Sequence, residues 1–235
     1  MDILSIPQKT IQRILRFTTN PIPMMDARNK LEIFAVKTGL KPAYLGNRDV
    51  KSTINDNLDI LKQLAAIIGL KYKITGIPPL YFLRRPNVPN DFINAYFTRE
   101  DFDILWIYND PKIESKIRNC LSGELNEGYV LGYPECCIKW HEEKRVLEVE
   151  SAFNQNMHKW ERITDKHLFG TWKKYPFAPH WACSKCLNGQ NQETERLNNQ
   201  YRELARKIGV DFEKDFIARI KKVFDDVNKP FHPAV

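Results

Sequence analysis

The chain has 235 residues, 43% of them hydrophobic, a net charge of +7 and five cysteines. That is enough apolar sequence for a substantial core, in one large domain or two small ones. No apolar run approaches the roughly 20 residues of a membrane span, the first residues lack the apolar block of a signal peptide, and five cysteines with Cys120 isolated make no disulfide framework, so a reduced, cytoplasmic, soluble protein is expected.

In chain order, Ser5-Ile6-Pro7 opens a short helix whose apolar face holds Ile11, Ile14 and Leu15, ending before Asn20-Pro21. A second helix runs from about Met24 to Lys37 and stops at Gly39. Residues 40–51, rich in Gly, Pro and Asn, are expected to be loop. Ile54, Leu58, Leu61, Leu64, Ala65 and Ile68 have helical spacing, and Gly69 ends that helix. Lys71–Thr75, Leu80–Arg84 and Phe102–Tyr108 are short, rich in β-branched and aromatic residues and bounded by Gly and Pro, as strands are.

Helical signals resume at Asp110-Pro111 and run to about Leu121, with Cys120 in the core. The longest helix is expected from Pro134 to about Ile163, with the stripe Ile138, His141, Val146, Val149, Phe153, Met157 and Trp160 facing inward. Residues 164–182 look like an irregular, aromatic-rich connection, with His158 and His167 as surface or cap residues. Two helices follow, one striped by Leu197, Tyr201, Leu204 and Ile208, the next by Phe212, Phe216, Ile220, Val223 and Phe224. The fold class is therefore α+β: a predominantly helical single domain with a small sheet of about three strands and a cysteine-rich metal site. Residues 1–130 form a helical scaffold with the sheet, residues 131–235 the metal-site helical region, together one compact unit.

Four of the five cysteines lie in two short segments, Gly132-Tyr133-Pro134-Glu135-Cys136-Cys137 and His180-Trp181-Ala182-Cys183-Ser184-Lys185-Cys186. A Cys-Cys pair and a Cys-x-x-Cys pair, each beside a helix start, point to one shared metal held by Cys136, Cys137, Cys183 and Cys186. Pro134 suits the first turn of a helix, where free N–H groups and the helix dipole favour the thiolate that a metal needs. The bland alternative is that these are small buried apolar side chains, a common fate of free cysteine. His141, one turn after Cys137, is a candidate ligand, though a core or supporting histidine fits the spacing better.

The run Leu131-Gly132-Tyr133-Pro134-Glu135-Cys136-Cys137 followed by His180-x-x-Cys183-x-x-Cys186 resembles an uncharacterised archaeal and bacterial family, domain-of-unknown-function family 483. The resemblance covers the second half of the chain and implies a site but no activity. Where such a motif is expected to carry proline before Cys183, this chain has Ala182.

Three functions fit the pattern. Thiolate-only ligation and adjacent cysteines favour an iron–sulfur cluster, and thus an enzyme or a redox or sulfur-chemistry protein. A closed zinc site completed by His180 or His141 makes the chain a binding module, with RNA as one partner. His141-Glu142-Glu143 with the Cys-x-x-Cys loosely matches a zinc deaminase, in which a Glu moves protons. His180 is the candidate catalytic proton carrier. Lys139 and Lys185 are candidate cofactor-binding residues that would hold an anionic small molecule or nucleic acid beside the site, consistent with nine Lys/Arg against six Asp/Glu over residues 136–186. No Gly-rich phosphate loop, Gly-x-Ser-x-Gly or His-Glu-x-x-His is present.

Overall fold

The computed structural model describes residues 6–49, 56–75, 102–153 and 167–227. The first helix, α1 (Gln8–Leu15), buries Ile11 and Ile14. Next comes α2 (Pro23–Thr38), with Pro23 in its first turn and Gly39 closing it at φ 78°, a left-handed position that suits glycine. Unlike a surface helix, α2 is buried on almost every side, from Met24 and Ala27 to Phe34 and Val36.

Its charged residues are consequently paired. Lys30 meets Asp26 at 2.8 Å, Asp26 also accepts bonds from the Thr19 backbone and hydroxyl, and Glu32 pairs with the buried Lys41. Burial of these groups without partners would cost several kcal/mol each, by order of magnitude.

Residues 40–51, expected as loop, contain a strand, β1 (Ala43–Asp49). It is followed by α3 (Leu58–Ile67), β2 (Lys71–Thr75) and β3 (Phe102–Tyr108). The sheet is antiparallel in the order β1-β3-β2, with Ala43 opposite Tyr108 and Lys71 opposite Tyr108 on the other edge. Local propensity hid β1, because Gly46 and Asn47 are poor strand residues. The open edge of β3 recruits it, and a Cβ at Gly46 would lie 2.9 Å from the end of the Leu61 side chain of α3, which would have to shift. The expected strand Leu80–Arg84 lies outside the described residues.

The central strand β3 is covered on both faces, which explains its unbroken apolar run. Leu105 and Ile107 join one core with α1, α2, α3 and the C-terminal helices. Ile104, Trp106 and Tyr108 join a second core with α4 (Ile113–Leu121) and α5 (Glu127–Val130), and Cys120 belongs to it. Burial and nearby Glu127 push the Cys120 thiol up to about 12, so it behaves as an apolar side chain.

The chain then enters α6 (Glu135–Phe153); the rest of the expected helix, like His158, lies outside the described residues. Residues 167–174 are helical (α7), where an irregular connection was expected. The one-turn α8 (Ser184–Leu187), α9 (Glu193–Ile208) and α10 (Val210–Val227) complete the chain. The architecture is a predominantly helical α+β domain with a three-stranded sheet, as the periodicities predict. Among the described residues no helix is long and apolar enough to cross a membrane.

Candidate metal centre

Two chain reversals bring the cysteines together. Gly132 adopts φ 74°, and a Cβ there would lie 2.6 Å from Pro42, so only glycine allows this close approach. Tyr133 is thereby held over Lys41, whose Nζ is 5.1 Å from the ring centroid. Pro134 then accepts the first bonds of α6, from Cys137 N at 2.9 Å and Ile138 N at 3.0 Å. That puts Cys136 and Cys137 in the first turn of α6, as expected.

The second reversal is the segment 175–183. Arg28 of α2 donates to the carbonyls of Ala178 at 2.6 Å and Pro176 at 3.3 Å, Phe177 N donates to Asn198 of α9, and the Phe177 ring stacks on Phe216 of α10 at 4.9 Å. Behind it stands α7, whose His167 and Thr171, with Tyr175 just past its end, recur every four residues on the buried side. His167, expected as a surface or cap residue, is only 8% exposed; its Nδ1 meets the Ala182 carbonyl at 3.0 Å and its ring lies 4.0 Å from that of Trp140. Ala182 N donates to Thr171 Oγ1 at 2.8 Å. A proline there has no N–H to give, which accounts for alanine in this chain.

All four predicted sulfurs meet. The ligand atoms of Cys136, Cys137, Cys183 and Cys186 lie within 4.8 Å of one another. Individual separations are 3.9 Å for Cys136–Cys137, 3.6 Å for Cys136–Cys186 and 3.7 Å for Cys137–Cys186. Cys183 is the N-cap of α8, and its own N–H donates to Cys137 Sγ at 3.4 Å. Asn191 Nδ2 donates to Cys136 Sγ at 3.2 Å, and Thr194 Oγ1 lies 3.6 Å from Cys137 Sγ. Donors aimed at sulfur suit thiolates rather than thiols, and a metal-binding set is the simplest use of four converging cysteines.

For Cys136 and Cys137 the electrostatics run against the thiolate that the helix start was expected to favour. Burial, together with neighbouring Cys186 and Cys183, pushes the Cys136 thiol up to about 12. Burial raises Cys137 further, against the donors Cys183 N–H and Thr194. Cys183 is also opposed by burial, but hydrogen bonds from the Cys186 backbone and the surrounding thiols outweigh it and bring it below the ordinary value. Four sulfurs this close cannot all ionise without a cation between them.

His180 is 7% exposed and outside the four-sulfur group. Its Nε2 is 3.0 Å from Thr194 Oγ1, its ring 5.3 Å from that of Tyr133, and its Nδ1 has no hydrogen-bond partner among the described residues. Burial, helped by Lys41 and Arg28, lowers its pKa to about 3, so the imidazole is neutral at neutral pH. His141 is likewise outside the group, with its ring 5.6 Å from Trp181. Glu142 accepts a bond from Asn126, the N-cap of α5, at 3.0 Å.

Lys139 and Lys185 both line an open pocket of about 480 Å³ over Cys136 and Cys183. Glu135, Glu143 and Glu193 line it too, and Lys139 is engaged with Glu135 at 2.7 Å. Sequence patterns did not single out Asn191 and Thr194, which follow Cys186 closely and reach the sulfurs, or Lys41 and Arg28, which come from far earlier in the chain. No model of a known protein family, no curated protein and no solved structure matches the chain.

Proposed function

We propose that the four cysteines hold a single zinc ion in an all-thiolate tetrahedral centre, and that the chain is a metal-centred binding protein rather than an iron–sulfur enzyme. One observation carries this: with zinc–sulfur bonds near 2.3 Å, the sulfurs of a tetrahedral site stand about 3.8 Å apart; those of Cys136, Cys137 and Cys186 are 3.6, 3.7 and 3.9 Å apart, and Cys183 keeps all four within 4.8 Å of one another. In a cubane cluster each thiolate goes to a different iron, which spreads the sulfurs more widely than one shared ion does.

Four protein ligands leave no open coordination position, which favours a closed centre over a zinc hydrolase. The deaminase reading finds no support in His141 or Glu142, since the first lies outside the sulfur group and the second is bound to Asn126. The position of His180, buried and bonded to Thr194, supports a positioning role for a residue the sequence offered as a proton carrier. Membership of domain-of-unknown-function family 483 is a proposal resting on the two cysteine motifs.

The test is zinc, iron and acid-labile sulfide analysis of protein purified anaerobically, with cobalt substitution as a check on geometry. One zinc per chain, no sulfide and a cobalt spectrum of tetrahedral thiolate type are expected. Iron with comparable sulfide would overturn the reading in favour of a cluster.

A further inference from the structure

The four sulfurs are unequally shielded. Cys137, Cys183 and Cys186 are 3%, 2% and 0% exposed, whereas Cys136 is only partly buried and forms the floor of the pocket. Asn191 Nδ2 donates to Cys136 Sγ and the Cys183 N–H to Cys137 Sγ, which also has Thr194 Oγ1 at 3.6 Å. A thiolate reacts only where a reagent can reach it, so exposure singles out Cys136 among the four sulfurs.

The pocket's charge indicates what can approach. Lys139 is engaged by Glu135, leaving Glu143 and Glu193 against Lys185, and Glu193 Oε2 stands 4.0 Å from Cys136 Sγ. Four thiolates around a dication add two negative charges. Trp140, half-buried beside Cys136, supplies an aromatic wall. An electronegative pocket with an aromatic wall favours cations.

We propose that Cys136 is the reactive thiolate of the centre and that the pocket takes a cationic alkyl donor of the sulfonium or quaternary ammonium class. The proposal rests on the single-ion reading above, since coordination keeps the sulfur deprotonated at neutral pH. A lone pair on Cys136 Sγ forms a bond to the donor's alkyl carbon while the bond from that carbon to the onium atom breaks. The breaking bond's electron pair stays with the donor, which leaves as a neutral thioether or tertiary amine, and Cys136 becomes a thioether. No proton, oxidant or reductant takes part.

Three thiol-alkylating probes differing in charge test this: (2-bromoethyl)trimethylammonium, iodoacetamide and iodoacetate, each rate divided by that reagent's rate with glutathione. Zinc is counted in the same samples before any reagent is added. Expected is modification mapped by mass spectrometry to Cys136 first, with the cationic reagent favoured over the anionic by about tenfold after normalisation, and a preference that shrinks in Glu143→Gln/Glu193→Gln. First modification at Cys183 or Cys186, an even spread over the four, or an anionic preference in zinc-loaded protein overturns this proposal while leaving the zinc centre standing. Absence of a single bound ion overturns the reading of the centre and this proposal with it, and the metal count alone reveals that.

Discussion

Gly132 and Gly39 share a left-handed backbone but differ in surroundings. A Cβ at Gly39 meets nothing within 4 Å, whereas one at Gly132 meets Pro42 at 2.6 Å. Gly39→Ala should therefore cost only the conformational strain, about 1 kcal/mol, and Gly132→Ala that strain plus overpacking, about 2 to 4 kcal/mol. Urea unfolding of the two variants checks this; equal losses would show that the Gly132–Pro42 approach carries no energy.

His180 makes a second residue-scale prediction. Its ordinary pKa of 6.5 falls to about 3 on folding, so between those values the unfolded chain binds a proton that the folded chain refuses. The stabilising contribution is complete above pH 6.5 and lost as pH falls toward 3, at most about 1.4 kcal/mol per pH unit. His180→Gln should flatten the decline in urea midpoint between pH 7 and pH 5 relative to the wild type. Parallel profiles would mean that the histidine takes up a proton without disturbing Thr194.

Among the elements, α7 depends on Thr171, whose hydroxyl donates to His167 O at 2.6 Å and accepts from Ala182 N at 2.8 Å. Thr171→Val keeps the shape and removes both bonds, leaving a buried N–H unpaired at a cost of about 1 to 3 kcal/mol, while Thr171→Ser stays near the wild type. Thermal unfolding of the pair measures it; a valine variant as stable as the serine one would show that the bond contributes nothing. The residues every four along α7 were readable as a helical stripe, but an aromatic-rich segment punctuated by Gly170 and Pro176 drew the expectation of a loop. At β1 no local signal existed to read, because its partner β3 lies more than fifty residues away and supplies the reason for the strand.

For the whole molecule, the placement of the cores decides what metal loss does. The two large cores contain none of the four cysteines, which sit in a small third cluster with Tyr175, Ala178 and Ala182. Chelation should leave the far-ultraviolet circular dichroism close to that of the loaded protein while hydrogen-exchange protection falls over residues 175–191 and the start of α6. Acid should do the same, because protons compete with the ion for thiolate and affinity falls as pH falls. Global unfolding on chelation would instead make the ion a condition of the fold.

From the sequence alone, the four clustering cysteines, the helix starts that present them, the stripes of the first and the penultimate helices and two of the three strands were legible, since each is written in local spacing or in scarce residue types. Cysteine, glycine and proline carry their meaning within a few residues. What the tertiary structure decided are the relations of distance: that the four sulfurs lie within 4.8 Å of one another, that Cys136 is the most exposed of them, and that three carboxylates and two ammonium groups share the pocket beside it. The same holds for His180, whose character depends on burial beside Lys41 and Arg28, residues more than a hundred positions away. Charge, exposure and coordination geometry are sums over neighbours in space, and a chain read in order does not list those neighbours.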